Sequence, residues 1–209
     1  GSTKFPDVNA DPGLQWATGY INLGVSNNIV NGFPDGTFKG TDQVTYAEMA
    51  KMILYAMNYG VTVKGAPWPA GVMAKADDLK LFDKVVAAPN LPAIRGDVVQ
   101  MIDNSLTVRH LVQKGYGDTE YYEEGKEDFL YKLRIDEVVD ADGNGYYVEE
   151  IARVNNRLDD DEIQLSNGEI YTLKTDVKPE EIFGKKVKIW VKRDDNKKYK
   201  DVFYVKVET

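Results

Sequence analysis

Three features of this 209-residue sequence combine residue types that could bind a ligand. The run Gly32-Phe33-Pro34-Asp35-Gly36 places an aromatic ring and a carboxylate between two glycines, whose backbone can adopt positive φ. Arg95 supplies a permanent cation at the start of a predicted helix. Residues 140–144 space acidic and amide side chains like the start of a calcium loop. Each feature has a binding interpretation and a structural one.

The possible calcium loop has the weaker binding interpretation. Its candidate ligands are Asp140, Asp142 and Asn144. A calcium loop needs an acidic ligand at its twelfth position, which is Ile151 here, while Glu150 stands one place early. We therefore favour a β-turn over 140–145 and expect no cofactor, with calcium as the lesser alternative.

The sequence offers no arrangement typical of an active site. His110 is the single histidine and cysteine is absent, so a zinc site would need carboxylates around one imidazole. Ser105 lies five positions before His110, a spacing at which helical side chains do not face each other. Nucleophile elbows, P-loops and dinucleotide fingerprints are missing. We predict that the chain is not an enzyme.

Composition excludes two classes of partner. The formal net charge of −8 argues against a nucleic-acid surface, which needs an excess of lysine and arginine. No apolar run approaches the length of a membrane span, so membrane insertion is not expected.

The glycine-rich run leads directly into a predicted amphipathic helix. Thr45 can cap this helix, and Glu48 can reach back to complete a capping box. Alanines 47 and 50 with Leu54 and Met57 follow at helical spacing and define a buried face. Phe33 and Phe38, on either side of the glycine turn, are expected to fold onto one core.

The first half of the chain repeats imperfectly. Trp16, Ile21, Gly24 and Ile29 recur 52 positions later as Trp68, Met73, Ala76 and Leu81. Each stretch predicts a short helix that ends beside a left-handed residue, at positions 28 and 80. Residues 44–48 also match residues 93–97, but the second repeat lacks the glycine turn.

The repeats predict which side chains form the helical core. Phe5, Trp16 and Trp68 lie on the apolar side of each repeat and are expected in the core rather than in a ligand-binding surface. The second helix of the second repeat is expected to bury a stripe composed of Val99, Met101, Ile102 and Leu106.

From Phe129 the hydrophobic period changes to two. Ser166-Asn167-Gly168 is a strong hairpin turn, and another turn is predicted at Asp194-Asp195-Asn196. About six short strands are expected, near residues 133–138, 146–154, 162–165, 169–173, 185–192 and 202–207. Regular turn spacing favours a small antiparallel β-barrel or sandwich, with Trp190 covering an open end of the barrel.

The sequence therefore predicts an α+β protein of two domains. A helical domain is expected over residues 3–115, with repeat 1 at about 5–59 and a degenerate repeat 2 at about 66–110. The acidic residues 116–128 are expected to form a linker or exposed loop. A small all-β domain is expected over residues 129–209.

The motifs of the first 110 residues or so resemble those of the S-layer homology family. They are Phe5-Pro6-Asp7-Val8, Trp16-Ala17, the loop Gly32–Phe38 and Thr45-Tyr46-Ala47-Glu48. The resemblance implies a cell-surface protein of a Firmicutes-type Gram-positive bacterium. It further implies secretion and a place in the cell wall or S-layer.

The resemblance also implies a ligand, secondary cell-wall polysaccharide, often with a pyruvylated terminal sugar. An anionic sugar needs a cation, backbone amides at a glycine turn and an aromatic wall. The family's arginine follows the capping threonine, a position held here by Tyr46 in repeat 1 and Arg95 in repeat 2. The implied glycan-binding residues are Arg95, Gly32, Asp35, Gly36 and Tyr46.

Each of these assignments has an alternative. Arg95 could equally be a surface arginine at a helix start, and Gly32, Asp35 and Gly36 are favoured as plain turn residues. Arg95 and the glycine loop could also form one composite site. At the level of function, the alternative to wall attachment is a self-assembling filament or lattice subunit that binds copies of itself. A third option makes the β-domain a carbohydrate-binding or enzyme-linked module.

Overall fold

The computed structural model describes residues 1–193 and 200–208, and the chain divides into two compact units. The first unit is Gly1–Asp128, and the second begins at Phe129. Helices dominate the first unit and strands dominate the second, so the predicted α+β fold class is confirmed. The turn predicted at Asp194-Asp195-Asn196 lies outside the described residues.

Short helices and one small hairpin build the first unit. The helices are α1 (Pro6–Ala10), α2 (Thr18–Ser26), α3 (Tyr46–Ala56), α4 (Gly60–Val63), α5 (Ala70–Asp78) and α6 (Arg95–Ser105). Two 3₁₀ turns, Pro12–Ala17 and Gly117–Thr119, and the strands β1 (Leu111–Gln113) and β2 (Tyr122–Glu124) complete it. Helix α3 packs against α4, α5 and α6 and is the central element of this unit.

Helix α3 begins and packs as its sequence predicts. Thr45 accepts a hydrogen bond from the N–H of Glu48, and the Glu48 carboxylate accepts one from the N–H of Thr45, which completes the capping box. Its predicted inward face is buried throughout, at Ala47, Ala50, Leu54 and Met57.

The predicted repeat is visible in the backbone at the ends of α2 and α5. Asn28 has φ 57° and Lys80 has φ 61°, so both left-handed residues are confirmed. The N–H of Ile29 bonds the carbonyl of Gly24 over 2.9 Å, and the N–H of Leu81 bonds that of Ala76 over the same distance. These pairs lie 52 positions apart, so the two helices end with the same hydrogen-bonding pattern.

Both tryptophans predicted for the core are on the surface. Phe5 is buried as expected, but the prediction for Trp16, which is 75% exposed, and Trp68, which is 54% exposed, is wrong. Trp16 lies in a 3₁₀ turn, where Leu14 and Ala17 share the inner side three residues apart and pack against the Phe5 cluster. The remaining side of that turn faces solvent and carries Trp16.

Helix α6 buries less of its predicted stripe than expected. Met101 and Ser105, four residues apart, face inward, whereas Val99 and Ile102 are exposed. Residues four apart share a helix face, so Met101 and Ser105 point inward together. Val99 lies two residues from Met101 and therefore points outward. The prediction for Met101 is confirmed, and that for Val99 and Ile102 is wrong.

Residues 116–128, expected to be a linker, contribute structure to the first unit. Strand β2 pairs antiparallel with β1, with Val112 opposite Glu123. The Tyr59 hydroxyl donates to the carbonyl of Arg109 over 3.0 Å and to Glu124 Oε1 over 3.3 Å. The sequence did not indicate this hairpin, because its strands contain only three residues each and β2 lies in an acidic segment.

The second unit contains all six predicted strands. They are β3 (Ile135–Val138), β4 (Tyr146–Ile151), β5 (Glu162–Leu165), β6 (Ile170–Leu173), β7 (Lys186–Lys192) and β8 (Asp201–Val207), with short helices α7 (Phe129–Lys132) and α8 (Pro179–Ile182). Alternation of apolar residues places Val187 and Ile189 inside, with lysines between them.

The strands close into a barrel through one parallel pair. Strands β4, β5, β6, β8 and β7 follow one another around the circuit, and β7 returns to β4. All neighbours are antiparallel except β6 and β8, where Leu173 lies opposite Val202. This five-stranded arrangement is a Greek-key barrel of the OB-fold kind, and β3 extends along the second half of β7. Trp190 is buried and packs edge-on against Tyr204 of the neighbouring strand.

Candidate functional site

The glycine loop, residues 32–39, is held by a compact network of its own. The N–H of Phe33 donates to the carbonyl of Thr37 over 2.8 Å, and that of Gly36 donates to the carbonyl of Phe33 over 3.0 Å. The Asp35 carboxylate accepts from the N–H and the hydroxyl of Thr37. These bonds lower the pKa of Asp35, with Lys39 adding to the effect. The loop is therefore a preorganised turn that carries an ionised carboxylate at neutral pH.

The two glycines of the loop have different structural requirements. Gly32 has φ +78°, and a Cβ there would lie 2.3 Å from a ring carbon of Phe5 and 2.8 Å from the carbonyl oxygen of Thr37. Gly36 has φ +83°, but a Cβ there would meet nothing within 4 Å. Gly32 is thus fixed by packing as well as by backbone conformation. Gly36 is fixed by conformation alone, and the space that a Cβ would occupy there is open.

Asp7 anchors the loop to helix α1. Its carboxylate accepts hydrogen bonds from the N–H of Phe38 over 3.1 Å and from the N–H of Lys39 over 2.8 Å. Burial acts to raise the pKa of Asp7, but these backbone donors outweigh it and hold the pKa below the usual 3.8. The Phe38 ring packs 5.2 Å from the ring of Phe5 in the same region. The Phe5-Pro6-Asp7-Val8 motif therefore positions the loop from outside.

Lys39 brings a cation to the loop, which sequence reasoning missed. Its Nζ lies 4.4 Å from the centre of the Phe33 ring and 3.7 Å from Asp35 Oδ2. Phe33 is itself partly exposed rather than folded into the core as predicted. The sequence did not single out Lys39, because lysines are common on protein surfaces. Lys39 lies three residues after Gly36, and its own left-handed backbone, at φ 57°, directs the side chain back across the loop.

Tyr46, at the position of the family's arginine in repeat 1, is buried and bonded within the protein. Its hydroxyl donates a hydrogen bond to the carboxylate of Asp97 in α6. That bond and burial raise the pKa of Tyr46. The N–H of Tyr46 also donates to the carbonyl of Leu91 over 3.2 Å, and the N–H of Ala93 donates to the carbonyl of Val44 over 2.8 Å. The corresponding segments of the two repeats therefore lie side by side.

Arg95 is the first residue of α6 and is exposed. Among the described residues, its side chain makes no hydrogen bond or ion pair, and none joins it to the glycine loop. The preceding cap residue, Ile94, has no side-chain oxygen and leaves the first amides of α6 without a side-chain cap. Arg95 and these amides provide positive charge at one helix end.

The possible calcium residues form a β-turn. Asp140 Oδ1 accepts from the N–H of Asp142 over 2.9 Å and from that of Asn144 over 2.8 Å. The bonds from Asn144 are the main cause of a lowered pKa at Asp140. Gly143 at the turn has φ 81°. No group of three or more potential ligands that could hold a metal occurs in the part of the chain that the structure describes.

Comparison with known proteins identifies the class of this region. Residues 4–50 match the S-layer homology domain, so the resemblance found in the sequence is confirmed. The match covers the loop, its anchor Asp7 and the capped start of α3. It ends before the second repeat, which lacks the glycine turn.

The relatives are surface proteins of Firmicutes-type bacteria. The chain is 30% identical over 209 residues to the middle cell wall protein of Brevibacillus brevis and 29% identical over 210 residues to the surface layer protein of Brevibacillus choshinensis, covering 92% of this chain in both cases. A cell surface protein of Thermoanaerobacter kivui is 33% identical over 51% of the chain. The chain spans between 13% and 19% of these relatives' lengths. No solved structure matches.

These findings indicate a location at the cell surface or in the cell wall. In the described residues, no helix has the length and apolar character needed to cross a membrane.

Proposed function

We propose that this chain is a non-catalytic attachment segment of a cell-surface protein, and that its helical unit binds secondary cell-wall polysaccharide. The observation that carries the proposal is the loop of residues 32–39 within an S-layer homology domain. Asp7 holds that loop in one conformation, so binding there would cost little ordering entropy.

The proposed contacts follow from the chemistry of an anionic sugar. Arg95 and Lys39 supply positive charge, Phe33 supplies an aromatic wall, and the open space beside Gly36 leaves room for a sugar. Gly32 and Asp35 act by shaping the loop. Tyr46 holds the motif position of the family's arginine. In this proposal it supports the fold through its hydrogen bond to Asp97 and does not contact the glycan.

A pull-down on cell-wall sacculi tests wall attachment. Sacculi carrying their polysaccharide should retain the protein, and sacculi stripped of it should not. Equal retention on both would contradict the proposal. Arg95→Gln should reduce retention on intact sacculi, since it removes the exposed cation of α6. Lys64→Gln, an exposed change at the end of α4, is the matched control and should leave retention unchanged.

Self-assembly is the second candidate function, and the exposed apolar residues of the first unit favour it. Val99 and Ile102 lie on the outer face of α6, and Leu91 precedes that helix. Trp16, Tyr20 and Leu23 form a second exposed row, in which the rings of Trp16 and Tyr20 lie 6.3 Å apart. Apolar surface of this kind is typical of contacts between protein chains.

Light scattering at increasing concentration tests this candidate. A self-assembling chain should show a mass that rises with concentration, and Val99→Ser with Ile102→Ser should reduce that rise. Val154→Ser, at an exposed position of the second unit, is the control. A strictly monomeric protein at high concentration would contradict self-assembly.

A further inference from the structure

The barrel carries a cleft on neighbouring strands that the proposed wall-binding site does not use. Its volume is about 580 Å³, and it is lined by Tyr147, Lys185, Lys186, Val207 and Glu208. This volume lies in the range of small-ligand sites, and the cleft is largely open to solvent. The lining residues include a tyrosine, two lysines and a glutamate.

Strand register places three of these residues in one row. Tyr147 of β4 lies opposite Lys186 of β7. On the other side of β7, the N–H of Glu208 donates to the carbonyl of Lys186 over 2.9 Å, directly after the Val187–Val207 pair. Because directly opposite residues project on the same face of a sheet, the three side chains share the outer face.

The carboxylate of Glu208 is held in place by the strands around it. Its Oε2 accepts a hydrogen bond from the N–H of Gly145 over 3.1 Å and lies 3.3 Å from the Nζ of Lys186. Gly145 has no room for a side chain, since a Cβ there would lie 2.1 Å from the carbonyl oxygen of Val187. An acceptor fixed in this way can receive a ligand hydroxyl without reorganising.

Charge pairing leaves one lysine of the cleft available. Lys186 pairs with Glu208, and Lys188, the next outward lysine of β7, pairs with Glu137 over 3.3 Å. Lys185 is exposed and, among the described residues, its side chain makes no hydrogen bond or ion pair. Lys185 and Tyr147, which is 54% exposed, both line the cleft, so the cleft includes a lysine that has no ion pair.

We propose that this cleft binds a negatively charged saccharide unit. The Tyr147 ring would stack against the apolar face of a sugar, Lys185 would pair with its carboxylate or phosphate, and Glu208 would accept a sugar hydroxyl. The site belongs to the second unit and does not depend on the glycine loop or Arg95. It would give a surface protein a second, independent contact with an acidic glycan.

Calorimetric titration of the full chain tests this site with three probes. A hyaluronan tetrasaccharide supplies carboxylates, mannose 6-phosphate supplies a phosphate, and maltotetraose is neutral. Binding of either acidic probe with no binding of maltotetraose is expected, and the stronger acidic probe identifies which anion the cleft prefers. Maltotetraose binding as tightly as the acidic probes, or no binding of any probe, would overturn the proposal.

Substitutions in the cleft test whether the acidic probe binds there. Tyr147→Ala and Lys185→Gln should each weaken binding of the acidic probe by about fivefold. The matched controls are Tyr116→Ala, an exposed tyrosine of the first unit, and Lys206→Gln, an exposed lysine of β8, and both should bind like the unaltered chain. Unchanged binding in both cleft variants would overturn the assignment.

One further variant distinguishes the barrel site from the proposed wall-binding site of the helical unit. Arg95→Gln should leave binding of the acidic probe at the barrel unchanged even where it abolishes retention on sacculi. Loss of probe binding in Arg95→Gln, with normal binding in the two cleft variants, would move the acidic ligand to the helical unit and overturn the barrel site. Circular dichroism spectra matching the unaltered chain establish that each variant is folded.

Discussion

The hydroxyl of Tyr46 donates a hydrogen bond to the carboxylate of Asp97 and thereby joins the first turns of α3 and α6. Asp97 holds the same place in α6 that Glu48 holds in α3. In α3 the carboxylate of Glu48 is used within its own capping box with Thr45. In α6 the cap residue is Ile94, so Asp97 has no such partner and bonds Tyr46 instead. Tyr46 stands where the family motif has arginine, and Ile94 stands where it has the capping threonine. The Tyr46–Asp97 bond depends on both of these changes.

Loss of the Tyr46–Asp97 bond should destabilise the first unit. We expect Tyr46→Phe and Asp97→Asn each to lower the midpoint of urea unfolding, because each removes a charge-assisted hydrogen bond. The double variant should lose little more than either single one. The amide NMR signals of the first unit report its unfolding separately from that of the barrel. Fully additive effects would mean that the two side chains do not interact.

Restoring a capping residue in α6 should stabilise the protein. We expect Ile94→Thr to raise the free energy of unfolding by about 0.5–1 kcal/mol, because the threonine oxygen can accept from the first amides of the helix. Asp97 would then be drawn toward a capping box, in competition with Tyr46. The gain should therefore be larger in a Tyr46→Phe background, as measured by urea unfolding. A smaller gain in that background would contradict the competition.

The two loop glycines should differ in their tolerance of alanine. Gly36→Ala should cost about 1–2 kcal/mol of unfolding free energy, the penalty for a left-handed backbone alone. Gly32→Ala should cost distinctly more, because its Cβ would also meet Phe5 and the carbonyl of Thr37. Thermal unfolding of both variants gives the comparison. Equal losses would show that the Phe5 contact relaxes freely.

Acid should weaken the attachment of the glycine loop to α1. The folded pKa of Asp7 lies below its usual 3.8, so its ionised form stabilises the folded loop above that value. This contribution is lost as the pH falls through the folded pKa. The amide NMR signals of Phe38 and Lys39 should shift in that acid range. Asp7→Asn should abolish this titration, whereas Asp42→Asn, in an exposed loop position, should retain it.

The barrel core should respond to truncation independently of the capping changes. Ile163 is fully buried in the cluster that fills the barrel, so Ile163→Ala should cost about 2–5 kcal/mol. Trp190 is the tryptophan of this unit, and its fluorescence follows barrel unfolding in a Trp16→Phe, Trp68→Phe background. Ile170→Ala, at a partly exposed position of β6, is the control and should cost much less.

Features set by neighbouring residues could be predicted from the sequence. All six strands of the second unit appear where period-two alternation and turn residues place them, because alternation reports directly which face of a strand is buried. The capping box of α3 and the left-handed residues at positions 28 and 80 were also predictable. The glycine loop was identified by its residue types, but its proposed ligand contacts remain predictions.

Features that join distant segments could not be predicted in this way. Nothing in local spacing indicates that Asp7 bonds the backbone at residues 38 and 39, or that β6 and β8 pair in parallel. Trp16 lies on the surface because its neighbour Ala17 packs toward the core, and Val99 lies on the surface because Met101 does.

The sequence by itself determined the ends of the repeated helices, the capped helix and the strands, because each depends on interactions within a few residues; the motifs of residues 4–50 also indicated the S-layer homology domain. Tertiary structure decided which aromatic rings reach solvent, that Tyr46 serves contact between repeats, and that Tyr147, Lys186 and Glu208 form one row. These outcomes depend on packing between segments far apart in the chain, where several arrangements satisfy the same local pattern and the buried contacts select one.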